Sequence, residues 1–511
     1  MLRKIRVALA AIFWVCITAL LLDFTGTLHC WLGWMAKIQL LPAAMALNVG
    51  VLIGLALITL ILGRVYCSVI CPLGVMQDII SWFHSRSKKG RYRFSWSPAK
   101  NWWRYTVFVL FVIAIILGIG SFVALLAPYS SYGRIVGSLL QPVYIWINNL
   151  LADVAARMDS YAFYHHDVWL KSLPVLLVAA ITFVTLFVLA WRGGRTYCNT
   201  ICPVGTLLGF LSRFSLLTIK IDKEKCNACG LCSRRCKASC INGKEHSVDS
   251  SRCVACMDCI DICAHGAISF GLRAPKMKKV GEETASGKEK ETAKASGKKQ
   301  EVDSSRRTLL VTGAFLGATA VINAQKKKID GGLAVIEEKK IPKRQTRIVP
   351  PGAVSLDHLA SHCTGCQLCV NACPNGVLRP SNGLITLMQP ESSYEHGYCR
   401  PECTRCSDVC PSGAILPIGK AEKSSTQIGH AVWIKANCVA VTDNVSCGNC
   451  ARHCPSGAIQ MVPLDENDTS SPMVPAVNEE RCIGCGACEN LCPATPFSAI
   501  YVEGHERHRT I

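Results

Sequence analysis

The chain has 511 residues, half of them hydrophobic, with 31 cysteines and a formal net charge of +20. That size and apolar content exclude a small secreted disulfide scaffold, which uses cystines in place of a core, and leave zinc or iron–sulfur ligation as readings of the cysteines. The charge does not point to nucleic acid, because the count treats every cysteine as neutral. A 4Fe–4S core of charge +2 held by four thiolates carries about −2, so six clusters would offset about 12 of the positive charges.

Residues 1–215 read as an α-helical membrane domain of four spans. Apolar runs over Ile5–Leu22, Ala43–Leu62, Tyr105–Leu126 and Leu173–Trp191 approach the roughly 20 residues that a helix needs to cross a bilayer. Beyond Arg6 at the edge of the first, none holds Asp, Glu, Lys, Arg or His. Arg3 and Lys4 precede the first run and Arg6 stands at its start, and Arg86, Lys88, Lys89, Arg91, Arg93, Lys100 and Arg104 separate the second from the third. By the positive-inside rule these segments face the cytoplasm, so Asp23–Pro42 and Ala127–Ser172 are expected as outer loops. His29, His165 and His166, the last followed by Asp167, lie on those loops. They read as solvated loop residues or as proton acceptors of a quinol site. No run carries a histidine, so axial ligands for an intramembrane haem are missing.

The same region is an internal repeat. GRVYCSVICPLGVMQDIISWF from Gly63 matches GRTYCNTICPVGTLLGFLSRF from Gly194. Each copy follows the returning helix of a hairpin, which makes the duplication parallel and sets Cys67, Cys71, Cys198 and Cys202 at one depth. These are either two packing or redox-active thiol pairs or the joint ligands of one further metal centre.

Residues 218–271 hold two regular C-x2-C-x2-C-x3-C sets: Cys226, Cys229, Cys232, Cys236 and Cys253, Cys256, Cys259, Cys263. Two-residue gaps let one tight loop offer three thiolates to a cubane, while the fourth cysteine serves the neighbouring cluster. Cys236 is therefore expected with the second set and Cys263 with the first. A zinc site uses two separated C-x2-C pairs and would leave the third cysteines idle. Lys237 and Ala264 stand where proline usually follows the fourth cysteine. Cys16, Cys30 and Cys240 fit no set and read as ordinary thiols.

Residues 272–303, rich in Lys, Glu, Ala, Gly and Ser, read as a disordered charged linker. In 304–325, Ser305, Arg306 and Arg307 precede an apolar run in the manner of a twin-arginine export signal; a cytoplasmic amphipathic or buried helix is the alternative. Residues 349–511 carry four more sets: Cys363, Cys366, Cys369, Cys373; Cys399, Cys403, Cys406, Cys410; Cys438, Cys447, Cys450, Cys454; and Cys482, Cys485, Cys488, Cys492. Proline follows each fourth cysteine. The first gap is three residues in the second set and eight in the third. The four sets pair either consecutively or in a nested order.

On these motifs, residues 1–271 resemble the NapH-type membrane quinol dehydrogenase component, and the chain from Ser304 onward resembles the NapG-type ferredoxin of the MauM/NapG family, here fused. The resemblance implies a four-span membrane domain with α+β ferredoxin-like modules, one of two clusters and one of four. It implies six 4Fe–4S clusters, menaquinol as substrate, and partners in the membrane, the quinone pool and a periplasmic oxidoreductase or cytochrome. The expected place is the bacterial cytoplasmic membrane, with the two-cluster module cytoplasmic and the four-cluster module periplasmic. A redox maturation factor for a periplasmic metalloenzyme is the rival expectation.

Overall fold

The computed structural model describes residues 1–86, 94–160, 163–166, 168–273, 329–330, 334–335, 337–465, 467 and 471–511. Lys88, Lys89, Arg91 and Arg93 of the basic loop, Asp167, most of the charged linker, and Ser305, Arg306 and Arg307 lie outside the described residues. The chain divides into two compact units. In the smaller, Ala274–Lys340, Ile329–Asp330 pairs antiparallel with Ala334–Val335. The larger joins Met1–Arg273 to Ile341–Ile511 and holds every cysteine set.

The expected apolar runs fold as helices because their charges and prolines are confined to their ends. Leu2–Leu22, Pro128–Ala156 and Leu173–Gly193 are long and apolar enough to cross a membrane; Val49–Leu62 and Asn101–Ile116 are apolar but shorter. Side chains such as Val7, Ile12, Val15, Ile181, Val184 and Val188 remain exposed on them, a pattern that suits lipid rather than water. The observed helices differ from the four expected runs at two points. The second run breaks at Leu47, which has a positive φ, and its helix starts at Asn48, whose side chain accepts the Val51 N–H. The third breaks around Gly118, also at positive φ, and resumes over Gly120–Leu126.

The expected outer loop Ala127–Ser172 contains the long Pro128–Ala156 helix, with a π-helical turn at Val136–Leu140. Arg134, Gln141, Asn148, Asn149 and Asp153 mask its apolar character in the sequence. Arg134 is fully buried, its guanidinium donating to the Ala124 carbonyl and meeting Met388 Sδ at 2.8 Å.

Two cysteine-rich modules dock on opposite ends of the Leu2–Leu22 helix, which is about 31 Å long at 1.5 Å per residue. At its N-terminal end, Arg3 pairs with Asp258 at 2.8 Å and Asp261 at 2.9 Å. That module closes by pairing Leu217–Ile221 with Ile268–Leu272. At the C-terminal end, Asn371 Nδ2 donates to the Leu21 carbonyl at 3.2 Å and Gln141 Nε2 to the Asn371 carbonyl at 3.3 Å. The latter module is held by three antiparallel pairs: Leu378–Pro380 with Pro390–Ser392, Thr426–Trp433 with Ile500–Thr510, and Ile459–Pro463 with Met473–Val477.

Candidate electron-transfer sites

Each C-x2-C-x2-C loop wraps its own three thiols, and the fourth cysteine of a set leaves for a neighbour. Cys236 shares a cavity with Cys253, Cys256 and Cys259. Cys410 lies with Cys363, Cys366 and Cys369. Cys373 interacts with Cys399 and Cys406, Cys492 with Cys450, and Cys454 shares a cavity with Cys482, Cys485 and Cys488. The C-terminal sets thus pair consecutively. Asn227 Nδ2 meets the His265 ring at 2.9 Å, bringing the chain after Cys263 onto the first loop. Among the described residues no three His, Cys, Asp or Glu side chains converge tightly enough for a single metal ion, the convergence that zinc requires. Burial pushes the Cys363 thiol up to about 12 and Cys366 to about 11. Such thiols become anions when a metal supplies the opposing charge, so the donor sets fit polynuclear clusters.

Local chemistry explains the irregular set that begins at Cys399. The three-residue gap after Cys399 leaves extra carbonyls, and the buried Lys423 ammonium fills that space, donating to the carbonyls of Arg400 at 2.6 Å and Cys403. The C-terminal pairs meet where the Cys399 N–H donates to the Cys485 carbonyl at 2.9 Å. Tyr394 is buried there, its hydroxyl on the Gly484 carbonyl at 2.7 Å and its ring against Gly486. Lys237, the residue that replaces proline, docks the N-terminal module: its ammonium lies 3.2 Å from Asp78 and 2.9 Å from Asp258. Asp78 also pairs with Arg6 at 2.9 Å and Arg195 at 2.8 Å.

Beneath that module the two GR-x-Y-C-x3-C-P copies exchange arginines. Arg64 donates to the Cys198 carbonyl at 3.1 Å, and Arg195 to the Cys67 carbonyl at 2.7 Å. Each guanidinium also lies 3.8 Å from the thiol three residues ahead of it, Cys67 or Cys198. Cys67, Cys71, Cys198 and Cys202 are all buried in one core that continues to Cys366 and Cys369. Arg64 further donates to the Ser251 carbonyl at 3.0 Å, two residues before Cys253. Gly74 and Gly205 permit the crossing: a Cβ on Gly74 would stand 2.3 Å from the Cys67 carbonyl oxygen and 2.6 Å from the Arg195 guanidinium. Gly74→Ala is expected to cost about 1–3 kcal/mol by overpacking, read as a lower unfolding midpoint in detergent. Gly54→Ala, which meets nothing within 4 Å, is the neutral control.

A cavity of about 430 Å³ opens where the helices meet the C-terminal module, within the usual range for ligand pockets. Phe24, Ile145, Val168 and Leu176 give it an apolar wall; Cys373, Tyr398 and Arg400 stand opposite. His165 and His166 line it, whereas His29 does not. The His166 ring packs edge-on to Phe24 at 4.4 Å, and its backbone is fixed by two hydrogen bonds with Asn149. His165 is paired with Asp153 at 3.2 Å. Three lining residues gave no sequence signal. Trp169 lies 4.3 Å from the His396 ring. Lys171 donates to Gln141 Oε1 at 3.1 Å and to the Val370 carbonyl at 3.3 Å, and burial draws its ammonium down to about 8. His29 sits instead beside Asp408, its pKa lowered by burial and by Lys37.

Comparison with known proteins places these features in a family. A 4Fe-4S binding domain family matches residues 44–91 and 175–222, the two repeat copies, and 4Fe-4S dicluster domain families match 362–415 and 445–495. The ferredoxin-type protein NapF of Escherichia coli is 30% identical over 179 residues, which is 35% of this chain and 99% of NapF. The methylamine utilization ferredoxin-type protein MauM of Methylophilus methylotrophus is 30% identical over 191 residues, 35% of this chain and 76% of MauM. The chain belongs to the Nap/Mau-type 4Fe–4S ferredoxin family. This Nap/Mau-type ferredoxin is also 25% identical to the ferredoxin-type protein NapH of Escherichia coli over 241 residues, 46% of this chain and 70% of NapH. No solved structure matches it. It is an iron–sulfur electron-transfer protein with several 4Fe–4S clusters, and the three long apolar helices among the described residues are compatible with a membrane protein.

Proposed function

We propose that the chain is a quinol-oxidising membrane ferredoxin that delivers single electrons to an oxidoreductase on the outer side of a bacterial cytoplasmic membrane. Six 4Fe–4S clusters are assigned to the exchanged cysteine sets, and a seventh to Cys67, Cys71, Cys198 and Cys202. When bound, such clusters take up and release one electron at a time. The C-terminal module is assigned to the periplasmic side, reached through the twin-arginine segment around Ser305, Arg306 and Arg307; the two-cluster module is assigned to the cytoplasm. Menaquinol is the assigned substrate, with nitrate-reductase-like enzymes as the class of acceptor.

The observation that carries the reading is the cavity, which brings apolar walls of the helical domain against Cys373. Oxidation of a quinol releases two electrons and two protons. The apolar wall admits a quinol from the bilayer, Trp169 offers a face for its ring, and Lys171 can donate to one of its oxygens by giving up its long 3.5 Å contact with Asn371 Oδ1. His166 is the assigned proton acceptor, held in place by Asn149 and open to the surface past His165. Anaerobic photolabelling with an azido-menaquinone analogue tests the site. Label on peptides containing Ile145, Trp169 or His396 is the expected result. Label confined to peptides of the two-cluster module would overturn it.

A further inference from the structure

The sequence leaves Cys240 outside every set, yet it is the fifth thiol of a cluster cavity. It is 1% exposed and lines the same cavity as Cys236, Cys253, Cys256 and Cys259. Its Sγ lies 3.5 Å from Cys236 Sγ, and it interacts with Cys253 as well. The internal copies show that the placement is particular to this set. Four residues after the fourth cysteine, four of the other five sets hold Ala267, Val377, Ala414 and Ala458, all at most 3% exposed, and the last set holds Pro496; in this copy alone the place is taken by a buried thiol. The turn before it is kept: Gly266, Gly376, Gly413 and Gly457 have positive φ there, and Ser239 adopts the same conformation without being glycine.

We propose that Cys240 is a reserve ligand for the cluster assigned to Cys236, Cys253, Cys256 and Cys259, able to replace Cys236 on its iron. The inference rests on the assignment of a 4Fe–4S cluster to that set. In the exchange the Fe–Sγ bond to Cys236 breaks and one to Cys240 forms. The Cys240 thiol proton passes to the released Cys236 thiolate, so charge and electron count are unchanged. The two sulfurs sit on successive turns of the chain. Cys236 precedes Lys237, whose ammonium binds Asp78 and whose carbonyl accepts the Arg195 N–H at 2.8 Å, tying it to the helical domain. Cys240 precedes the short hairpin Ile241–Asn242 with Ser247–Val248, inside the module. The carbonyls of Ala238 and Ser239 between them accept from Asn199 Nδ2 at 3.2 Å and the Ser97 N–H at 3.4 Å, which holds both sulfurs beside the set.

The test is iron and acid-labile sulfide content, with electron paramagnetic resonance after dithionite, on the full chain purified anaerobically. Cys236→Ala is expected to retain the wild-type iron and a signal altered by the new ligand. Cys236→Ala/Cys240→Ala is expected to lose one cluster, about four irons, and Cys240→Ala alone to keep full iron. Cys259→Ala, which removes a ligand other than Cys236, is expected to lose a cluster despite the reserve thiol. If Cys236→Ala loses as much iron as the double variant, Cys240 is not a ligand and the inference falls. If the wild type and Cys253→Ala/Cys259→Ala contain equal iron, the set binds no cluster and the underlying assignment falls instead.

Discussion

Replacing Asp78 by alanine is expected to loosen the two-cluster module and to lower stability by about 3–5 kcal/mol, the range for breaking a buried ion pair by removing one partner. The Asp78 carboxylate is buried and meets three cations: Arg6, Arg195 and Lys237. Arg195 is 0% exposed and Arg6 and Lys237 are largely covered, so removal strands charges that water cannot reach. Lys237 belongs to the two-cluster module and the other partners to the helices, so one substitution cuts the attachment from both sides. Burial works to raise the Asp78 pKa, but Arg195 and then Lys237 hold the carboxyl far below the usual carboxylate range. A depressed folded-state pKa contributes stability that is complete above the unfolded value near 4 and is lost as pH falls through the folded one. The loss in the variant should therefore be the same from about pH 6 to pH 8. The measurement is the unfolding midpoint in detergent together with protease cleavage between Phe214 and Arg273. An unchanged midpoint with no new cleavage would contradict the docking role.

The second large effect concerns the cavity. His166→Gln is expected to slow quinol-driven reduction by about 100-fold, the lower end of general-base contributions, while dithionite still reduces the protein fully. His29→Gln is expected to leave both unchanged, because His29 lies beside Asp408 and outside the cavity. Stopped-flow absorbance at the broad iron–sulfur band, with quinol and dithionite compared, separates the two variants. Equal rates in His166→Gln and the wild type would remove His166 from the reaction and pass its role to another cavity residue, His396 being the next to replace.

Much of this was legible because cysteine spacing is local chemistry. The loops around Cys226, Cys253, Cys363 and Cys482 follow from two-residue gaps alone. The repeat at Gly63 and Gly194 was visible too, but the reason Gly and Arg recur was not: each arginine serves the other copy's carbonyl, a contact across more than a hundred residues. The Pro128–Ala156 helix was hidden by Arg134, Gln141 and Asp153, which read as loop polarity until their partners are known. Lys171, Trp169 and Cys240 carry no motif; the first two gain meaning from Cys373, far away in the chain, and the third from sharing a cavity with Cys236 and Cys253. The consecutive pairing of the C-terminal sets likewise depends on which turn packs on which, information that spacing does not hold.

The central claim is tested most directly by adding a menaquinol analogue to the anaerobically purified full chain in detergent and recording electron paramagnetic resonance spectra over time. The account predicts reduced 4Fe–4S signals from the wild type, and their suppression in Cys373→Ala, whose thiol lies at the cavity. If dithionite produces those signals and the quinol does not, the chain does not oxidise quinol, and the reading of the cavity is wrong.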